Sequence, residues 1–99
     1  ILSRMVRAIW NGTVLADSTT THEVDGYVYF PRASVRMDLL RASERTPSDR
    51  QCPHGVQFYD VVHGGRTVER QGWSYEKPGL AMRPVGHWLG FWDEVAIED

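Results

Sequence analysis

A small all-β domain is what this sequence predicts, either an open antiparallel barrel or a bent pair of sheets with one or two short helical turns. Three observations carry that expectation. The turn pairs Asn11-Gly12 and Asp25-Gly26 fall between short runs rich in β-branched and aromatic residues. Gly and Pro recur so often that short strands and turns are favoured over long helices. Four Trp, four Tyr and three Phe supply large apolar surfaces of the kind pleated sheets accept.

The elements follow in order. Val6–Trp10 reads as a strand, and Asn11-Gly12 turns it back because both residues tolerate positive φ. Thr13–Asp17 is the returning strand, and Ser18–Thr21 is a polar corner. His22–Val24 leads through Asp25-Gly26 to Tyr27–Phe30, which Pro31 ends because it cannot donate to a ladder. Pro31–Val35 suits a single helical turn, and Arg36–Leu40 is short enough to favour a strand. Arg41–Gln51 lacks periodicity and reads as the longest surface loop.

Gly55–Val62 is the clearest core strand. His63–Arg66 turns, Thr67–Arg70 alternates as a half-buried strand does, and Gln71-Gly72 is expected to turn again into Trp73–Glu76. Lys77-Pro78-Gly79 breaks that strand, and Leu80–Val85 has room for one helical turn. Gly86–Trp92 is an aromatic strand whose glycines point to close backbone packing or a bulge. Asp93-Glu94 turns, and Val95–Asp99 closes the sheet. Residues 1–99 thus form one domain. Its segments 6–40 and 55–97 share a turn, glycine, aromatic, tyrosine and proline pattern, which suggests a duplicated half.

Composition sets limits on function. The net charge of −2, with signs interspersed, lacks the one-sided basic field that nucleic acid requires, so no nucleic-acid partner is expected. No apolar stretch approaches about 18 residues, so no membrane span is expected. Ile1–Met5 is too short and too charged to read as a signal peptide, and the missing initial Met suggests a trimmed product. One cysteine cannot form an intramolecular disulfide, which suits a reducing, cytoplasmic setting.

That cysteine lies in Gln51-Cys52-Pro53-His54-Gly55, ahead of the core strand. Loops feeding rigid strands are where binding and catalytic side chains gather. In extended backbone, residues 52 and 54 face the same way, so Cys52 is a candidate nucleophile or orienting thiol and His54 its proton carrier. The plainer reading of Cys52 is a small buried hydrophobe. Glu76 and Asp60 interrupt aromatic strand segments and are candidate acid–base groups. Arg36 is a candidate anion clamp. Tyr59, Trp73, Tyr75 and Trp88 are candidate ligand-binding aromatics, although most aromatics in so small a domain serve the core. The four histidines match no compact metal-ligand spacing, so no metal is expected, and nothing in the chain points to a cofactor.

Several segments together resemble a known family. Trp10–Ser18, Tyr29-Phe30-Pro31 and Val35–Leu40 look like the opening of the domain-of-unknown-function family numbered 427. Cys52-Pro53-His54-Gly55 followed by Phe58-Tyr59 is similar to that family's Cys-Pro-aromatic-Lys-Gly segment and its next strand. Trp73–Pro78 and Leu89–Trp92 fall where the family carries Trp-Tyr-Tyr-Pro and Val-Ala-Phe-Tyr. The resemblance implies a small antiparallel β domain, nominally filed with nucleotidyltransferases. No phosphate-cradling glycine loop or paired-Asp metal motif supports that filing here. One departure is plain: no Lys precedes Gly55.

The expected function is therefore binding of a small polar or aromatic metabolite near Cys52 and His54, with acid–base or thiol chemistry if the domain is an enzyme. The alternative is a non-catalytic interaction module or a homodimer joined through sheet edges.

Overall fold

The computed structural model describes residues 4–99, so the first three residues of the segment read as lacking a signal peptide lie outside the described residues. Nine strands are seen among them: β1 (Val6–Trp10), β2 (Thr13–Ser18), β3 (His22–Val24), β4 (Tyr27–Phe30), β5 (Leu40–Ala42), β6 (Val56–His63), β7 (Arg66–Tyr75), β8 (Leu89–Phe91) and β9 (Ala96–Glu98). They form two antiparallel sheets, of order β2-β1-β9 and β3-β4-β8-β7-β6-β5. Neither sheet closes, so the bent two-sheet form is the one adopted. No helix among the described residues is long and apolar enough to cross a membrane.

The hairpins form where local chemistry dictates. Asn11 and Gly12 both hold positive φ and join Trp10 to Thr13 in register. Asp25 and Gly26 do the same between Val24 and Tyr27, and Gly64-Gly65 joins β6 to β7. The expected helical turns are 3-10 turns at Arg32–Ser34 and Leu80–Val85. Segment 6–40 supplies hairpins to both sheets, and segment 55–97 supplies β6, β7 and β8 to the large sheet and part of β9 to the small one.

Three local expectations are corrected. Arg36–Leu40 is not one strand: Met37–Leu39 forms a 3-10 turn and the strand begins at Leu40. Arg41–Gln51 is not a plain loop, because β5 pairs with β6 and Pro47–Arg50 forms a short helix, α1. Thr46 caps α1 by accepting from the Asp49 N–H while the Asp49 carboxylate accepts from the Thr46 N–H, a reciprocal capping box. Gln71-Gly72 is not a turn either. β7 runs unbroken through it, and its extra residues beside Asp60 form a bulge in which Arg70 holds positive φ.

The main core lies between the sheets, where Ala8, Trp10 and Leu15 meet Phe30, Tyr59, Val61, Leu89 and Phe91. The opposite face of the large sheet carries a second apolar cluster of Tyr29, Val56 and Trp73, covered in part by Met82 and Val85. Gly90 explains how its rings meet. β8 separates β4 from β7, and Tyr29 and Trp73 both pair with Gly90. A Cβ on Gly90 would stand 2.8 Å from the Trp73 ring and 3.2 Å from Tyr29, so only a bare backbone lets the two rings close over β8.

Candidate functional site

The β6–β7 ladder continues past its last strand residues and builds the site. Glu76 donates its N–H to Gly55 O at 3.0 Å, and Lys77 donates to His54 O at 3.0 Å. The Cys52–Gly55 segment is itself a turn, closed by Gly55 N–H to Cys52 O at 3.2 Å. Gly55 needs its positive φ there, and a Cβ would press on Lys77 Cβ at 3.1 Å. The cysteine turn and the end of β7 are thereby held face to face.

A cleft of about 250 Å³ opens at this junction. Arg45, Arg50 and Lys77 supply three cations, Cys52 and Gln57 contribute a thiol and an amide, and Glu76 contributes one carboxylate. Arg45, Arg50 and Lys77 take part in none of the ion pairs among the described residues. Gln57 spends its amide N–H groups on Ser43 O and Phe58 O, which leaves its oxygen as an acceptor.

Glu76 is the centre of a wider polar cluster. Ser74 Oγ donates to its carboxylate at 2.6 Å, Arg32 approaches at 3.4 Å, and His87 Nδ1 lies 3.5 Å away. Arg32 also donates to Tyr59 Oη at 3.0 Å and to His87 O at 3.0 Å. Tyr59 Oη and Ser74 Oγ share a bond of 3.3 Å. Partial burial pushes the Glu76 pKa up, but Ser74, Arg32 and His87 outweigh it and hold the carboxyl below its ordinary value. Glu76 is thus a stable carboxylate at neutral pH.

The other sequence candidates separate. Cys52 lines the cleft and packs partly against the second apolar cluster. His54 Nδ1 accepts from the Gly79 N–H at 2.9 Å, and its ring meets Tyr75 edge-on at 5.4 Å. With Nδ1 occupied, the neutral ring carries its proton on Nε2 and has no lone pair free to act as a base toward Cys52. Its visible work is to pin the Lys77–Gly79 turn.

Asp60 lies elsewhere, buried beside the bulge. It accepts from Ser43 Oγ, from the Arg70 N–H at 3.1 Å and from Arg41 at 3.3 Å. Burial pushes its pKa up, and these donors bring it back below the ordinary value. Arg36 is exposed and forks onto Asp38 at 2.9 and 3.1 Å, beside a groove lined by β2 and the Ala33–Val35 turn. Trp73 and Tyr75 line a hollow on the outer face of the large sheet, and Trp88 packs half-buried nearby. Among the described residues, no three of His, Cys, Asp and Glu form a group that could hold a metal ion.

Sequence reasoning passes over Arg32, Ser74 and Lys77. Arg32 has the signal, following Pro31 at the start of a turn that redirects the chain, but Arg36 four residues later carries the same residue type. Lys77 reads as part of a strand-breaking trio, and only the extended ladder shows it bordering Gly55.

A search of the curated proteins finds no match to this chain. The family model described as Domain of unknown function (DUF427), with the short name NTP_transf_9, matches residues 2–98. The chain belongs to that DUF427 family.

Proposed function

We propose that this protein is a small-molecule-binding domain whose ligand is a small acidic metabolite seated in the cleft beneath the Arg45–Gly55 segment. One observation carries the reading: three cations that form no ion pair among the described residues border a cleft holding a single carboxylate. A cleft of about 250 Å³ falls below the roughly 300–1,000 Å³ usual for drug-sized ligands, which favours a compact molecule. Arg45 and Arg50 suit bidentate recognition of a carboxylate or phosphate, and Lys77 acts as a point charge. The base of the Lys77 side chain packs against Gly55 and Lys77 lines the cleft, although no Lys precedes that glycine in the chain.

Glu76 and the Gln57 oxygen would accept from a ligand hydroxyl or amine and so set its orientation. Binding is favoured over turnover because Glu76, held below its ordinary pKa, is a weak base with no proton to give at neutral pH, and His54 has committed its basic nitrogen. Cys52 contacts the ligand as a soft wall. The single thiol accords with a cytoplasmic setting.

Citrate and inorganic phosphate, titrated calorimetrically, serve as probes. Saturable binding of either, lost in Arg50→Ser/Lys77→Ser, is the expected result. Binding that survives the double substitution, or no binding of either probe together with no acidic molecule co-purifying by mass spectrometry, overturns the reading.

A further inference from the structure

We infer that the aromatic hollow on the outer face of the large sheet is a cage for a quaternary or methylated ammonium group, independent of the acidic-ligand cleft. Tyr27, Phe58, Trp73, Tyr75 and Trp92 line it together with Val56. Trp73 is its buried floor, while Tyr27 and Trp92 stand 41% and 40% exposed. Two rings meet Trp73 at steep angles, Tyr27 at 5.1 Å and 88° and Trp92 at 5.3 Å and 67°, while Phe58 lies nearly parallel to Trp92 at 5.8 Å and 28°. Such mutually inclined rings wall a hollow on several sides, the arrangement by which aromatic faces surround an alkylated cation.

Size and charge narrow the occupant. The hollow is about 140 Å³, on the order of the ~150 Å³ cavity that takes one benzene-sized guest. That admits a trimethylammonium head. The indole N–H groups are already committed, Trp73 to Tyr29 Oη at 3.3 Å and Trp92 to Arg70 O at 2.7 Å, so neither tryptophan offers a hydrogen bond to a guest. What remains on offer is π surface and the hydroxyls of Tyr27 and Tyr75.

The surroundings favour positive charge. Asp25 sits in the turn just before Tyr27, close enough for its charge to act on Tyr29. Glu69 and Asp93 share the neighbouring hollow that Trp92 also borders. Arg70 stacks over Phe58 at 4.0 Å, so one ring of the cluster already receives a cation on its face. That guanidinium is matched by a bidentate pair with Asp49 and adds little net charge to the rim.

Choline and its neutral carbon isostere 3,3-dimethylbutan-1-ol test this directly, followed by the indole N–H signals of Trp73 and Trp92 in the full chain. Choline should move both signals saturably, and the isostere should bind at least about fivefold more weakly. Trp92→Ala, at an exposed position, should abolish the choline response. Asp25→Asn/Asp93→Asn should weaken it several-fold with the fold intact, because Asn tolerates the positive φ both positions hold. Equal binding of the two probes would show a merely apolar hollow and overturn the inference. So would unaltered binding by Trp92→Ala, no response to choline, or concentration-dependent dimerisation that buries the two tryptophans. Arg50→Ser/Lys77→Ser should leave the choline response unchanged, which keeps this result separate from the fate of the acidic-ligand cleft.

Discussion

Asp60 on β6 and Glu76 just past the end of β7 belong to one ribbon, each beside a serine hydroxyl and an arginine, yet their surroundings differ in kind. Asp60 is closed in. Ser43, Arg41 and the Arg70 backbone take up its acceptor capacity, and Arg70 in turn forks onto Asp49, which caps α1. Apart from Arg41, whose side chain is largely exposed, the groups in that chain are bonded to other parts of the fold. Glu76 shares its donors more loosely and its side chain remains 37% exposed beside the cleft. The contrast teaches that a carboxylate inside an aromatic strand serves architecture when its lone pairs are filled. It is available to a ligand when solvent still reaches it.

Breaking the closed side should have the largest effect. Asp49 is 4% exposed and Arg70 reaches it at 2.9 and 3.0 Å. Arg70→Ala should cost about 3 kcal/mol in urea unfolding, because it leaves a buried charge without its partner. The pH dependence follows from the same pair. The Arg70 guanidinium, despite burial, holds the Asp49 carboxyl far below its ordinary value in the folded protein. A depressed folded pKa contributes stability that is present above the unfolded value, about 3.9, and fades as pH falls toward the folded one. The thermal midpoint should therefore fall below about pH 4, and Asp49→Asn should flatten that descent. A midpoint that rises on acidification would contradict the assignment.

The two serines offer a matched test of intermediate size. Ser43→Ala removes a donor from the enclosed Asp60 and should cost about 2 kcal/mol, within the range for a hydrogen bond to a charged group. Ser74→Ala removes the corresponding donor from Glu76, where water has access, and a long contact from Tyr59 Oη, which keeps Arg32, so it should cost about 1 kcal/mol. It should also raise the Glu76 pKa, since Ser74 is the foremost group holding it down. Chemical denaturation and carbon-13 titration of the carboxyl would measure both. Equal costs for the two serines would erase the distinction between the sides.

What the sequence discloses of this arrangement depends on how local each cause is. Asn11-Gly12 and Asp25-Gly26 set positive φ by themselves, so their hairpins are legible from adjacent residues. Gln71-Gly72 has the look of a third such turn, but Asp60, ten residues before Arg70, holds the backbone as a bulge and the strand passes through. α1 is hidden for a related reason: a four-residue helix has no period to read, and its Thr46–Asp49 box is fixed by Arg70 from another strand. Glu76, Tyr59 and Cys52 stand out as chemistry-bearing residues within or beside apolar segments. Which arginine joins them is decided by the turn after Pro31, which brings Arg32 to Tyr59 and leaves Arg36 on the surface with Asp38.

Glu76→Gln should have the smallest structural effect and so sharpens the comparison most. Its partners Arg32 and His87 are themselves 39% and 59% exposed, and ion pairs of that kind are worth about 0–1 kcal/mol. The glutamine keeps an oxygen for the Ser74 hydroxyl, so unfolding in urea should shift by less than about 1 kcal/mol. Removing one negative charge from beside three cations should, by contrast, strengthen the binding of citrate or phosphate in the cleft. A ligand that donates a hydroxyl or amine proton to Glu76 would show the opposite sign, weaker binding to the glutamine variant than to the native protein. Calorimetry with simple anions and with hydroxy or amino acids therefore reads out whether Glu76 merely opposes charge or actively orients its ligand. A loss of several kcal/mol of stability on this substitution would place Glu76 with Asp60 as an architectural carboxylate.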